Sequence, residues 1–360
     1  MTAERNVCAI VANPLKNTSN VKMDLKFTLK EIAHQAGLSL ATVDRVVHDR
    51  AHVRALTRAR VQAAQDELHR QHAASLLGEK RVTLDIVMQA PERFSTAVRA
   101  AFEAELPLMR PAPFRARFHL AEVMEEREIV ALLRSIARRG TQGIVLKAPA
   151  TAGIAACLAD LAARKIPVVT YVTDVAAPLR LAYVGMQNAR AGATAAYLLS
   201  RMAPPQSARV LITLSSLAFE GEEARRVGFA GYLAQHAPHL AMTTVSEGFG
   251  VNRATGELIG QALQDHPDIS CVYSIGGGNT AILQAFAATG RKIAVFAAHD
   301  LDRTNTELLK SGQVSFVIHH SFRQDARRVA VHFGKHYRWI DPATTIEGTE
   351  ISIACPIPLT

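Results

Sequence analysis

Between Phe27 and Leu68 the chain reads FTLKEIAHQAGLSLATVDRVVHDRAHVRALTRARVQAAQDEL, a pattern that suits three short helices packed together and little else. Leu29, Ile32, Ala33 and Ala36 fall at i, i+3, i+4 and i+7, one apolar stripe with Lys30, Glu31, His34 and Gln35 on the wet side. Gly37 ends that helix by supplying the left-handed backbone of a tight turn, and Ser39 is a good N-cap for the next. In the second helix Val43, Val46 and Val47 share a face, which turns Leu40, Ala41, Asp44 and Arg45 outward in its N-terminal half. That half of a recognition helix meets base edges. Thr57 is expected to cap a third helix, in which Val61, Ala64 and Leu68 repeat and brace the first two.

A formal charge of +9 over 360 residues agrees with a polyanionic partner, and Lys26 to Arg81 holds ten Lys/Arg against six Asp/Glu. With 49% hydrophobic and 20% charged residues the chain is long enough for two or three domains with sizeable cores. The four cysteines, Cys8, Cys157, Cys271 and Cys355, have neither CxxC nor zinc-ligand spacing and read as reduced and buried or inert. No run approaches about twenty apolar residues and no signal-peptide order opens the chain, so a cytoplasmic protein without a membrane span is expected. Residues 1–24 lack periodicity and read as a disordered extension, with Met23 as the alternative start.

From Val82 onward β-rich runs alternate with helical patterns: VTLDIVM, GIVLK, IPVVTYV, ARVLITL, ISCVYSI, IAVFAAH and VSFVI are each followed by a helix-period segment. Such alternation implies parallel strands with helices on both faces, and roughly 280 residues suit two similar α/β lobes. Ligands of open α/β sheets lie beyond the carboxyl ends of the strands. Gly276-Gly277-Gly278 lacks the GK[ST] or GxGxxG context of a phosphate cradle and reads as a tight strand-to-helix turn. His332 and His336 share a helix face, but no third ligand accompanies them and no metal or cofactor is expected.

The segment IAHQAGLSLATVDRVV, with the His52-Val53 pair and Thr57 and Val61 after it, resembles the lactose-repressor (LacI/GalR) family. The resemblance implies that Leu40, Ala41 and Arg45 enter the major groove while Ser39, Thr42 and His52 touch or orient on the DNA backbone. Asp44 departs from the serine commonest at its position and sets a carboxylate beside the phosphates. Relatives carry a hinge that becomes helical on the operator and wedges leucines into the minor groove. Here HRQHAASLLGEKR offers Leu76 or Leu77 but is two or three residues shorter and lacks the usual Pro-Asn.

The remainder resembles the periplasmic sugar-binding-protein fold of the same family, through YVGMQNARAGATAAYLL, SIGGGNTAIL and FAAHDLDRTNTELLKSGQVSFVIHHS. It implies a pocket with Phe94 as an aromatic wall, Arg225, Asn279 and Asp300 gripping hydroxyls, and His320 where relatives have Gln. Arg225 and Asp300 would be paired in a closed cleft, and Lys147 and Asp174 would sit at its rim. The plainer readings make Arg225 an exposed helix charge and Asp300 a cap for the helix starting at Asp302 or Arg303.

The expected organisation is an extension (1–24), a helix-turn-helix DNA-binding head (25–69), a hinge (70–81) and a two-lobed effector and dimerisation domain (82–360). The function it implies is a homodimeric, or tetrameric, regulator, expected to be a repressor, that binds operator DNA under the control of a small sugar or sugar alcohol. The rival readings are a cytoplasmic sugar-binding protein with a vestigial head and an enzyme, for which no catalytic motif is visible.

Overall fold

The computed structural model describes residues 27–50, 53–77, 82–110 and 113–357, with the side chains of residues 70 and 73–77 outside the description. The expectations for residues 1–24 and for His52 lie outside the described residues. The chain divides into two compact units, Met1–His72 and Ala73–Thr360.

In the first unit α1 (Leu29–Ala36), α2 (Leu40–Val47) and α3 (Ala55–Leu77) enclose a small core of Ile32, Ala33, Val43, Val46 and Val61. Thr28 and Glu31 form a capping box: the Thr28 hydroxyl accepts from the Glu31 amide at 3.3 Å, and the Glu31 carboxylate accepts from the Thr28 amide at 2.7 Å. Gly37 takes φ 58°, and the Leu38 amide then reaches the Ala33 carbonyl. Thr57 caps nothing. The third helix already begins at Ala55, three residues before the Arg58 start that a Thr57 cap implies, because the Arg54 carbonyl accepts from the amides of Thr57 and Arg58. It also runs to Leu77, so the first eight residues of the expected 70–81 hinge are helical.

The second unit has two lobes. The first contains β1 (Val82–Gln89), α4 (Glu92–Glu105), β2 (Phe114–Ala121), α5 (Glu126–Arg139), β3 (Ile144–Lys147), α6 (Ala152–Ala163), β4 (Val168–Tyr171) and β5 (Ala182–Val184). The chain then enters the second lobe with α7 (Asn188–Met202), β6 (Arg209–Thr213), α8 (Glu220–His236), β7 (Ala241–Val245), α9 (Asn252–Asp265) and β8 (Ile269–Ser274). There follow α10 (Asn279–Ala288), β9 (Val295–His299), α11 (Arg303–Lys310), β10 (Phe316–His319), α12 (Phe322–His336) and β11 (Ser352–Ala354). The first sheet is parallel, in the order β2-β1-β3-β4-β5. The second runs β11-β10-β9-β8-β6-β7 and is parallel except for β11.

Each sheet is covered on both faces, which is why its central strands are continuous apolar runs rather than alternating ones. In the first lobe Val98 and Phe102 of α4 join Val329 and Phe333 of α12 on one face, and Ile129, Leu133 and Leu158 cover the other. In the second, α7 and α8 cover one face and α9, α10 and α11 the other. The chain crosses between lobes three times: after β5, after β10 into α12, and ahead of β11. Met186 of the first crossing bridges Thr349 of the third. Among the described residues no helix is long and apolar enough to cross a membrane, and no three His, Cys, Asp or Glu side chains are grouped to hold a metal ion. Cys157 and Cys271 are buried free thiols and Cys355 is exposed.

Candidate functional site

On the head, the sequence-predicted residues share the outer surface of α2. Ser39 is the N-cap, its hydroxyl accepting from the Thr42 amide at 3.3 Å and lying 2.8 Å from the Thr42 hydroxyl. Leu40, Ala41 and Arg45 are exposed, while Val43 and Val46 hold the helix down. The Asp44 carboxylate is not left loose: Arg50 Nη1 stands 3.1 Å from one oxygen and His48 Nδ1 3.0 Å from the other. Leu76 and Leu77 lie in the last turn of α3.

In the body, the carboxyl ends of both sheets face one cleft, which closes over a cavity of about 30 Å3, room for roughly one water. From the first lobe come Phe94 on α4, Lys147 at the end of β3, and Val172 and Thr173 after β4. From the second come Phe219, Glu222 and Arg225 around the start of α8, Ile275 and Gly276 after β8, and Asp300 after β9. Arg93 beside Phe94 makes an ion pair with Asp302, joining the two lobes. Gly277, at φ 96°, lies where any Cβ would collide with the Arg93 guanidinium, so the glycine turn leaves the room that side chain occupies.

Arg225 owes its place to two glycines. A Cβ at Gly192 would collide with the Arg225 carbonyl and one at Gly228 with the Ala189 carbonyl, so only glycine lets α7 and α8 approach this closely. Arg225 Nε then donates to Asn188 Oδ1 at 2.8 Å, leaving Nη2 buried without a partner. Asp300, in the left-handed region at φ 67°, likewise buries Oδ1 without a partner. Val172, a β-branched residue at φ 65°, adds a second strained position to the cleft wall. The expected Arg225–Asp300 pair is absent. Arg225 is turned to Asn188 instead, and among the described residues neither charge has an ion-pair partner. The helix beyond Asp300 is capped by Asp302, which accepts from the Asn305 amide at 2.8 Å.

Lys147 is not at the rim; it is 6% exposed. Its ammonium donates to the Gln89 carbonyl at 2.9 Å and lies 4.0 Å from the centre of the Phe219 ring. Loss of water on burial pulls its pKa down to about 8, against the opposing pull of Glu222. Glu222 is held by the amide and hydroxyl of Ser215, at 2.7 and 2.6 Å.

Three predicted residues stand apart from the cavity wall. Asn279 accepts from Ser274 at 2.5 Å and donates to Asn305 at 2.6 Å, a buried network that leaves its amide engaged. Asp174 is gripped by Arg180 at 2.5 and 2.6 Å and by the Thr170 hydroxyl at 2.6 Å. His320 is buried beside Phe322, which meets Phe94 edge to face. Sequence reasoning missed Arg93, Asn188, Phe219 and Glu222. Glu222 looks like an ordinary helix-start acid, and Asn188 acts on a residue 37 positions away.

Residues 28–69 match the family model for bacterial regulatory proteins of the lacI family, and residues 124–331, more than half of the chain, match that for the periplasmic binding protein domain. No curated protein matches the chain. Among solved structures, a protein assigned as a LacI transcriptional regulator from Bacteroides fragilis superposes with TM-score 0.67 at 15% identity, over 77% of this chain and 98% of that one. GanP, a glucose-galactose binding protein from Geobacillus stearothermophilus, gives 0.66 at 17% identity, over 77% and 98%. An ABC transporter solute binding protein from Agrobacterium vitis, bound with α-D-tagatopyranose, gives 0.67 at 17% identity, over 77% and 95%. At these identities the likeness is one of fold. With a three-helix head and a two-lobed body closing on a small cavity, the chain belongs to the periplasmic binding protein domain family through its body and is, through its head, a lacI-family bacterial transcriptional regulator.

Proposed function

We propose that this regulator binds operator DNA as a homodimer in the cytoplasm, acts as a repressor, and is controlled by a small sugar or sugar alcohol held between its lobes. The observation that carries the effector reading is the pair of buried, unpartnered atoms on the cleft wall, Arg225 Nη2 and Asp300 Oδ1. Leaving such atoms unpaired costs free energy. A polyol hydroxyl, donor and acceptor at once, satisfies both, and Phe94 and Phe219 supply the apolar faces a sugar ring packs on. Solved proteins of this fold that are described as binding glucose and galactose, or tagatose, support the same class.

On DNA, Leu40, Ala41 and Arg45 read base edges while Ser39, Thr42 and His52 orient on phosphates. Two heads are needed because one short helix covers few base pairs. Effector enters as the lobes part and stabilises their closure, changing head spacing in the dimer, a coupling of about 1 to 3 kcal/mol. The test is a thermal-shift screen of the full chain against sugars and polyols, where a ligand at 100 times its Kd should stabilise by about 2.7 kcal/mol. A broad panel that shifts nothing and leaves operator binding unchanged overturns the reading.

A further inference from the structure

His320 and Asp325 form a fully buried pair that the cavity wall does not account for: His320 Nδ1 lies 2.6 Å from Asp325 Oδ2, with neither side chain exposed. The other carboxylate oxygen of Asp325 accepts from Arg328 Nη1 at 2.9 Å and from the Thr349 hydroxyl at 2.8 Å. Arg328 in turn donates to the carbonyls of Glu347 and Gly348, at 2.9 and 3.0 Å. His320 stands on the second crossing between the lobes, and Glu347 to Thr349 lie on the third, where Thr349 also bridges Met186 of the first. One carboxylate thus gathers hydrogen bonds from the second and third crossings and reaches the first through the bridge from Thr349 to Met186.

We infer that Asp325 is a positioning residue of the effector response: it fixes the ring of His320 and ties that ring to the crossing at 347–349. The inference rests on the reading of the cleft as the effector site. A carboxylate can only accept, so the ring nitrogen that faces Asp325 carries a proton and donates it, which fixes the orientation of the ring. Nε2 is buried and has no partner among the described residues. Asp325 keeps its charge: burial pushes its carboxyl up, but the bonds from His320, Thr349 and Arg328 outweigh this and hold it below the usual range. Beside it, the Phe322 ring meets both His320 and Phe94, 5.0 and 5.2 Å between centroids, so the ring is also fixed from the pocket side. His320 and Thr349 share no hydrogen bond of their own; Asp325 is their common partner.

The first arm of the test needs no ligand. Hydrogen exchange is followed at residues 345–352 in the full chain for wild type, His320→Gln, Asp325→Asn and the double variant. His320→Gln should speed exchange there about fivefold, the worth of one hydrogen bond, and should add nothing once Asp325 is Asn. Should Asp325→Asn fail to fold, Thr349→Val replaces it as the background in which His320→Gln has lost its effect. Wild-type exchange in His320→Gln, or an equal rise in both backgrounds, overturns the proposal. The second arm takes a fixed panel of glucose, galactose, fructose, arabinose, tagatose and fucose. For any sugar that stabilises wild type, Asp325→Asn should bind about tenfold more weakly with operator affinity in its absence within about twofold; unchanged sugar affinity overturns the proposal. A panel that leaves wild type unmoved counts against the effector reading, and the exchange arm still decides on Asp325.

Discussion

The outer face of α2 and the cleft of the body both hold charged side chains without an ion-pair partner among the described residues, but they are built in opposite ways. Arg45 stands in solvent with no ion pair among the described residues, and the carboxylate beside it is occupied by Arg50 and His48. Arg225, Lys147 and Asp300 are each at least nine-tenths buried and hold no ion-pair partner among the described residues. A solvated arginine costs the fold almost nothing, gains from a phosphate or a guanine edge when DNA arrives, and is screened by salt. A buried, unpaired charge costs stability at all times, is little screened, and recovers that cost only when a ligand completes it. A surface for a large polyanion can therefore be assembled from cheap parts, whereas a pocket for a small neutral ligand stores its specificity as unmet hydrogen bonds.

The largest effect should come from breaking the buried side. Arg225→Ala removes charge-assisted bonds and leaves Asp300 facing a desolvated cavity, so affinity for a ligand found in the sugar screen should fall by about 3 kcal/mol, more than a hundredfold in Kd. Asp300→Ala should behave alike. Operator binding without ligand should survive in both. Calorimetry and operator titrations on the same preparations decide: variants that respond at the wild-type ligand concentration place the pocket elsewhere, and variants that lose DNA binding outright make these residues guardians of the fold.

Lys147 sharpens the same contrast without a ligand. Its amine titrates near 8 in the folded chain, against about 10.4 when free. Below pH 8 the fold bears the whole cost of the buried charge. Between about 8 and 10.4 the unfolded chain holds a proton that the folded chain has released, so stability rises with pH. Lys147→Met should remove that rise, a difference on the order of 3 kcal/mol between the two stability–pH curves across the window. Parallel curves would mean that the ammonium is better solvated than its surroundings imply.

On the exposed side the effects should be smaller and salt-dependent. Arg45→Ala should cost about 1 to 3 kcal/mol of preference for operator over random DNA while leaving non-specific binding largely intact. Wild-type affinity should fall linearly on a logarithmic salt scale. A uniform loss on both DNAs makes Arg45 a phosphate contact, and a flat salt response contradicts a phosphate-anchored head.

The same contrast governs what the sequence discloses. The head was legible almost to the residue because its signals are local: a capping box, a left-handed glycine and apolar spacing within 42 residues. Two local readings missed: Thr57 is not the cap, because the Arg54 carbonyl already opens the helix, and the third helix runs past residue 69 to Leu77. In the body, all seven strands read from apolar runs are present. The strands not read, β2, β5, β7 and β11, are the four sheet edges, where half-solvated FRARFHLA or AMTTV carries no continuous apolar run. Phe94, Lys147, Arg225 and Asp300 do meet in the cavity wall. What could not be read is how each is held, since the Arg225–Asn188 and His320–Asp325–Thr349 bonds depend on where helices and crossings lie in space.

The smallest expected effect concerns the stretch ahead of the body. In relatives the hinge folds on the operator, and the ordering is charged against binding. Here α3 already extends through Leu77, so that ordering cost is reduced before DNA arrives. The stretch is also short and lacks Pro-Asn, which should leave a leucine wedge weak or displaced. Leu76→Ala and Leu77→Ala are therefore expected to change operator affinity by less than about 1 kcal/mol, well under the few kcal/mol associated with unstacking a base step. The operator's bend angle should change just as little. Both quantities can be followed on one DNA fragment by gel mobility with permuted sites. A large loss of affinity together with a straightened operator would mean that one of these leucines does enter the minor groove, and that the DNA-facing part of the molecule, like the cleft, relies on a buried contact.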